Sequence, residues 1–145
     1  MSPRVVAQEF FDHMQAGDVD EILRMATPDA AAALVPLHVH GSIAAEGADY
    51  LYELARAFPE PMIQVRRLFV TTDDTAVAEI TVEGTQADAF LGAANQEKQV
   101  NLDQVWLLEV TPDDRISAVT AYWDHNQLYR RLGVKRLDTI TLTAR

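Results

Sequence analysis

Residues 100–133 read VNLDQVWLLEV-TPDD-RISAVTAYWD-HNQLYRRLG, and this stretch decides the predicted fold. Two runs rich in β-branched and aromatic residues flank the segment Thr-Pro-Asp-Asp, whose composition is typical of a turn. We therefore predict strands over Gln99–Val110 and over residues 116–123. A helix over residues 126–132 follows, and Gly133 ends it.

One residue of the first predicted strand is an acid, Asp103, among mainly apolar neighbours. Burial of an unpaired carboxylate costs several kcal/mol, so such a group must be exposed, paired or protonated. The second strand ends in Tyr122-Trp123-Asp124, where a large aromatic side chain can close a cavity. Together these features predict a cone-shaped pocket that holds one ionisable group.

The first half of the chain predicts three helices. Ser2 and Pro3 suit a helix cap and a first helical position, and apolar residues at three- and four-residue spacing continue to Gly17. Asp18 caps a second, shorter helix. A third helix is predicted over residues 47–58, before two prolines.

The remaining segments predict further strands and loops. A short strand is expected over residues 30–37, with a loop over residues 38–42, and two longer strands over residues 63–71 and Thr75–Thr85. Residues 86–98 form a polar loop of small residues. Helices followed by an antiparallel meander indicate an α+β domain, with helices on one face of a curved sheet.

The composition restricts the class of protein. A length of 145 residues suits one domain spanning residues 1–145, and the absence of cysteine excludes disulfides and thiolate chemistry. A formal net charge of −10 disfavours binding to nucleic acid or to an anionic membrane. With no secretory signal pattern and no apolar run of about 18 residues, we expect a cytoplasmic protein.

Several short motifs occur in an order that identifies a family. The sequence resembles the SnoaL-like members of the NTF2-like superfamily, which includes ketosteroid isomerases, polyketide cyclases and limonene-type epoxide hydrolases. The resemblance implies a cone-shaped, cystatin-like fold with an apolar cavity, and a homodimer formed through the outer sheet face. The motifs are Gly17-Asp18, Pro28-Asp29-Ala30, Glu46-Gly47, Glu83-Gly84-Thr85, Phe90-Leu91-Gly92, Ala121-Tyr122-Trp123-Asp124 and Leu132-Gly133.

Most of the catalytic residues of these relatives align with different residue types in this sequence. The isomerase tyrosine falls on Phe10 and its general-base aspartate falls near Leu34. The epoxide hydrolase arginine falls on Asn101, and the essential acid of the SnoaL cyclases falls on Ala121. The acid of the third strand is retained, as Asp103.

Strand alternation groups Asp103 with Val105 on one face, opposite Trp106. The resemblance places the faces of Asp103 and Trp123 in the cavity. There Asp103 would be a catalytic acid or base with a raised pKa. In the alternative interpretation, Asp103 pairs with Asn101 or Arg67 at a sheet edge. If the Asp103 face lines the cavity, the opposite face, with Gln104, Trp106 and Leu108, should be covered by a second subunit.

His38 and His40 lie before Gly41, at the predicted mouth of the cone. Either histidine could assist catalysis as a proton shuttle. A surface loop is the alternative. A metal site is not predicted, because no third ligand follows at a recognisable spacing.

The remaining predicted site residues form an apolar lining for the substrate, and the alternative is a filled core. The tyrosine among them could offer its hydroxyl to a ligand or to a backbone carbonyl. The predicted lining comprises Phe10, Met14, Tyr50, Leu54, Phe58, Val105, Ala121 and Trp123.

These observations lead to three functional hypotheses. The first is a cofactor-independent enzyme that acts by proton transfer on an apolar substrate, polycyclic ones included, as an isomerase, cyclase or dehydratase. The second is a non-catalytic module that binds hydrophobic ligands or partners on the same fold. The third is an epoxide hydrolase or polyether-type cyclase. It would need Glu79 or Glu83 to point inward, and strand alternation disfavours that.

Overall fold

The computed structural model describes residues 2–134, which fold as helices packed on one curved sheet. Within these residues, the helices are α1 (Pro3–Ala16), α2 (Val19–Met25), α3 (Ala48–Ala57) and α4 (His125–Arg131). The strands are β1 (Ala26–Leu34), β2 (Val39–Ser42), β3 (Met62–Val70), β4 (Thr75–Thr85), β5 (Gln99–Val110) and β6 (Ile116–Tyr122). The predicted α+β class is confirmed.

Local capping chemistry fixes the first two helices where the sequence predicts them. The Ser2 side chain accepts a hydrogen bond from the Val5 backbone N–H at 3.3 Å. Gly17 ends α1 with φ of +70°, a left-handed conformation that glycine adopts without strain. The Asp18 carboxylate caps α2 through the Glu21 N–H. These contacts satisfy backbone groups that a helix end leaves unpaired.

The strand order is β2-β1-β6-β5-β4-β3, with β1 and β6 parallel and every other neighbouring pair antiparallel. The predicted bounds of β4 and β5 are confirmed, and β3 begins one residue earlier than predicted. The meander β3 to β6 therefore follows the predicted order. The parallel pair arises because α3 and the meander separate β1 from β6 in sequence.

The predicted strand over residues 30–37 has the wrong bounds, and the predicted loop over residues 38–42 is also wrong. Strand β1 already begins at Ala26, and Val35–Leu37 forms a 3-10 turn instead of continuing the strand. The expected loop over residues 38–42 contains β2, which pairs with β1 from Leu34↔Val39 to Ala31↔Ser42. Pro28 is tolerated because the register with β6 shifts between Ala26 and Ala31.

The two faces of β5 are the reverse of the predicted assignment. Trp106 lies on the helix-facing side, with its ring centroid 5.4 Å from that of Phe10 and 6.2 Å from that of Tyr50. Gln104, Trp106 and Leu108 are buried in the core, so they are not available to a second subunit. Asp103 and Val105 therefore lie on the opposite face, called here the outer face.

Aromatic and aliphatic side chains fill most of the space between the helices and the sheet. Phe10 and Phe11 contact Trp106, and the Phe58 ring lies 5.3 Å from Phe90. Each of these five side chains is at most 1% exposed. The apolar cavity expected at this place is therefore a packed core. No helix in the described range is both long enough and apolar enough to cross a bilayer.

Candidate functional site

A cleft of about 240 Å³ opens between α3, the β1–β2 hairpin and the loop before β5. We call it the α3 cleft. Its apolar wall and its carboxylates converge in one concave place, which is the usual form of a small-molecule site. Leu34, which lines it, lies near the position on which the isomerase base falls by sequence, with Val35 as the alternative. The lining residues are Leu34, Leu37, Val39, Glu46, Asp49, Tyr50, Glu53 and Leu91.

Three carboxylates line the cleft because Glu46, Asp49 and Glu53 follow one another at spacings of three and four residues, which place them on one helical face. The Glu46 carboxylate accepts the Ser42 backbone N–H at 3.0 Å, and this hydrogen bond lowers the pKa of Glu46. The Asp49 side chain is exposed and has no hydrogen bond or ion pair within residues 2–134. The three acids therefore differ in how much of each carboxylate remains available.

Of the three carboxylates, Glu53 is the least exposed to water. Its side chain is 30% exposed, and one oxygen accepts the Leu91 backbone N–H at 2.5 Å. The other oxygen lies 3.8 Å from the Arg56 guanidinium, whose exposed position limits the strength of that pair. Glu53 is thus partly desolvated and held in one orientation.

The loop over residues 86–98 is attached to two helices, α3 and α4. Leu91, with φ of +48°, donates its N–H to Glu53, while its carbonyl accepts the Tyr129 hydroxyl. Arg56 forms an ion pair with Asp88 at 3.1 Å. These contacts hold the Leu91 side chain against the cleft and reduce access of water to Glu53.

Tyr50 belongs both to the cleft lining and to the core. It is 4% exposed, and its ring stacks on Trp123 at 5.4 Å between centroids with an 18° interplanar angle. Its hydroxyl oxygen accepts a hydrogen bond from Gln104 Nε2 at 2.7 Å, and Gln104 Oε1 accepts one from Trp106 Nε1 at 2.9 Å. Burial raises the pKa of Tyr50, so the phenol stays neutral and keeps its proton.

The predicted position of Asp103 in the cavity is wrong. The side chain lies on the outer face and is 43% exposed. It accepts the Thr81 hydroxyl at 2.9 Å and pairs with Arg131 at 3.5 Å and Arg66 at 3.9 Å. The alternative partner Arg67 pairs with Glu79 instead. The cation partners come from β3 and α4, which strand spacing alone could not bring together.

The two predicted histidines are exposed and do not line the cleft. His38 has φ of +54° and ends the 3-10 turn. Val39 lines the cleft, so strand alternation directs His40 to the other face of β2. Strands β1 and β6 separate β2 from the strand that carries Asp103, and the structure therefore does not bring the predicted catalytic residues together.

The predicted substrate lining divides into three groups. Tyr50 lines the cleft, and Trp123 stacks behind it. Val105 faces outward, beside Asp103. The rest are core residues, at most 4% exposed: Phe10, Met14, Leu54, Phe58 and Ala121.

The sequence interpretation missed Glu53, Asp49 and Gln104 as site residues. The spacing of the two acids around Tyr50 was a usable signal, because it places them on one helical face. The buried partnership of Gln104 with Tyr50 joins residues 54 positions apart and left no comparable pattern. Among residues 2–134 no group of three or more potential ligands is arranged to hold a metal ion.

Comparisons with known proteins agree with this architecture. Residues 5–132 match the family described as SnoaL-like polyketide cyclase. No curated protein sequence matches the chain significantly. The structure is similar to that of AclR from Streptomyces galilaeus, assigned as a hydroxylase, with 20% identity, a TM-score of 0.78, and coverage of 90% of this chain and 95% of AclR.

Two further structures have the same fold. SalBIII, an epoxide hydrolase/cyclase-like enzyme in pyran ring formation in the polyether salinomycin, has 23% identity and a TM-score of 0.69, over 86% of this chain and 92% of its own. A protein assigned as a polyketide cyclase from Pseudomonas putida KT2440 has 18% identity and a TM-score of 0.77, over 92% and 99%. At these identities the likeness concerns the fold.

Proposed function

The chain belongs to the SnoaL-like polyketide cyclase family, and from that membership we propose a cofactor-independent enzyme that transfers protons on a small apolar carbonyl compound in the α3 cleft. Cyclase-type function is what the family supports. Aldol-type cyclisation needs a base that removes a proton beside a carbonyl group, and a donor that stabilises the resulting enolate oxygen. The pairing of Glu53 with Tyr50 in one cleft is the observation that carries the proposal.

Glu53 is the proposed base because it is the partly buried acid of the three. The Leu91 N–H holds one carboxylate oxygen at 2.5 Å, which fixes the orientation of the other oxygen beside the cleft. Glu46 is exposed to water, and the Ser42 N–H lowers its pKa. Asp49 is solvated and unrestrained.

Tyr50 is the proposed donor to the substrate oxygen. Burial, with a smaller contribution from the adjacent Glu53 charge, raises the pKa of the phenol, so its proton is retained across physiological pH. A neutral donor in a water-poor place stabilises developing negative charge more effectively than one in bulk water. Deprotonation by Glu53 and hydrogen bonding by Tyr50 are then two halves of one enolisation step.

The size and charge of the cleft restrict the substrate class. A cleft of about 240 Å³ is smaller than the roughly 300–1,000 Å³ typical of drug-sized ligands, so it suits one or two rings or the reacting end of a longer molecule. Three carboxylates at the cleft and a net charge of −10 disfavour anionic substrates. A neutral ketone or ester is the best match.

The test is deuterium exchange from D₂O into the α-carbon of β-tetralone or acetylacetone, followed by mass spectrometry. We expect exchange to be faster with the wild-type protein than in buffer alone. Glu53→Gln should lower the protein-catalysed exchange rate by about 10²–10⁴-fold. Asp49→Asn is the matched control, because it makes the same charge change on the same helix at an exposed site. Equal rates for wild type and Glu53→Gln would contradict the assignment of the base.

A binding module without catalysis is the second candidate. The packed core and the loss of the relatives' catalytic residues favour it. It predicts saturable binding of both ketones with exchange no faster than in buffer.

A third candidate is epoxide opening, which needs an acid and a carboxylate together. The acids lining the cleft favour it, whereas Glu79 is engaged with Arg67 on the outer face. Incubation with cyclohexene oxide in ¹⁸O-labelled water distinguishes the two reactions, because epoxide opening places the label in the diol product and proton transfer on a ketone forms no diol.

A further inference from the structure

The hydrogen-bonded chain Trp106–Gln104–Tyr50 can run in only one direction. An indole N–H donates and never accepts, so Gln104 Oε1 must be the acceptor at 2.9 Å. This removes the usual ambiguity about which end of an amide faces which partner. The Gln104 amide nitrogen then faces Tyr50 at 2.7 Å, and because an amide nitrogen only donates, the Tyr50 oxygen must accept.

The Tyr50 hydroxyl therefore has a hydrogen that it does not donate to Gln104. No residue within 2–134 accepts a hydrogen bond from it, although Tyr50 is 4% exposed. Gln104 and Trp106 are 2% and 1% exposed, so water does not compete for the donors that fix this orientation. A buried donor needs an acceptor, and a ligand in the α3 cleft, which Tyr50 lines, could supply one.

We infer that the α3 cleft selects neutral ligands that carry a carbonyl-type oxygen acceptor, bound by the Tyr50 hydroxyl, and that Gln104 and Trp106 are positioning residues that compel this hydroxyl to donate. The inference rests on the proposed function, whose substrate class it specifies. The apolar wall of Leu34, Leu37 and Leu91 would hold the hydrocarbon part of such a ligand. A ligand that offers only hydrogen-bond donors would find no acceptor at this end of the cleft.

The test compares two probes of nearly equal shape: β-tetralone and its exocyclic-methylene analogue, in which CH₂ replaces the carbonyl oxygen. Binding is followed by the fluorescence of the two tryptophans, Trp106 and Trp123, whose rings both lie near Tyr50, and the readout is the ratio of the two dissociation constants. We expect the wild-type protein to prefer the ketone by at least about tenfold, as one hydrogen bond allows. Tyr50→Phe, which keeps the ring, should bring the ratio close to one.

Gln104→Glu tests the direction of the chain. A carboxylate at this position accepts from both Trp106 and Tyr50, which turns the tyrosine hydrogen away from the ligand. The ketone preference should fall to the Tyr50→Phe level. Gln104→Met covers the case in which a buried charge prevents folding: it frees the hydroxyl to rotate and should give an intermediate ratio.

A purely structural role would weaken both probes alike and leave the ratio unchanged. A ratio that Tyr50→Phe does not alter would overturn the inference, even where Glu53→Gln abolishes exchange. Conversely, a Tyr50-dependent ratio without any Glu53-dependent exchange would leave the inference standing and refute the proposed catalysis. The two failures are therefore distinguishable.

Discussion

Asp103 and Gln104 are neighbours in sequence, yet they lie on opposite faces of the sheet in opposite environments. Asp103 is 43% exposed and is surrounded by two arginines and a threonine hydroxyl. Gln104 is 2% exposed, and its side chain bonds to the neutral groups of Tyr50 and Trp106. The charge lies where water and counter-charges reach it, and the core uses uncharged partners, because an ion pays a far larger desolvation cost than an amide.

The largest expected difference between the two faces concerns aromatic side chains. Trp106→Ala removes a fully buried ring that contacts three aromatic residues, and it should lower the free energy of unfolding by about 3–5 kcal/mol. Phe69→Ala, on the outer face at 43% exposure, should cost less than about 1 kcal/mol. Urea denaturation measures both. Similar losses at the two positions would remove the distinction between the faces.

The next prediction concerns the polar neighbours. Gln104→Leu leaves the Trp106 N–H without its buried acceptor and should cost about 1–3 kcal/mol. Asp103→Asn keeps a group that can accept from Thr81 and loses only half-exposed ion pairs, so its cost should stay within about 1 kcal/mol, with turnover unchanged. Loss of activity in Asp103→Asn would contradict this prediction and would indicate that acid–base chemistry takes place on the outer face.

We propose that the expected homodimer forms through the outer face, on residues different from those predicted. Val77, Val105 and Leu107 are half-buried there, and the Tyr122 side chain is 42% exposed. Leu107→Glu should raise the dimer dissociation constant at least about tenfold in sedimentation experiments, because a charge replaces a central apolar contact. Glu109→Gln, at the exposed end of the same strand, is the control. A wild-type monomer at all concentrations would refute the dimer.

The smallest expected effect is a pH dependence from His125. Partial burial lowers the pKa of His125 from its ordinary value, and the neutral ring accepts the Trp123 indole N–H at 3.0 Å. A depressed pKa in the folded state means that this stabilisation is complete above the unfolded-state pKa of about 6.5 and declines as the pH falls through the folded-state value.

Wild-type protein should therefore lose more thermal stability than His125→Gln between about pH 7.5 and about pH 5.5. Parallel thermal melts at the two pH values measure this, with His13→Gln as the control for a histidine on another helix. An identical pH dependence in wild type and His125→Gln would contradict the role of the ring.

Much of the fold follows from local patterns. Capping by Ser2 and Asp18, the left-handed Gly17 and the alternation along β4 and β5 could all be read directly, because each depends on residues close in sequence. Strand β2 could not, since its Gly-Ser-rich segment has little intrinsic preference for a strand and depends on pairing with β1.

The candidate site was harder to predict than the fold. Leu34, Glu53 and Leu91 meet in the α3 cleft from a strand end, a helix and a loop. Only the acid spacing on α3 was visible beforehand. The attachment of Leu91 to Glu53 and Tyr129 depends on how the loop packs, and no local pattern encodes it.

By itself, the sequence determined the order of the elements apart from β2, the family, and the residues that share a face of each strand. Tertiary structure alone decided which of those faces meets the helices. Alternation is unchanged when a strand is turned over, so it cannot distinguish the Asp103 face from the Trp106 face. The packing of Phe10 and Tyr50 on Trp106 breaks that symmetry, because it buries the larger apolar surface and leaves the charge in water.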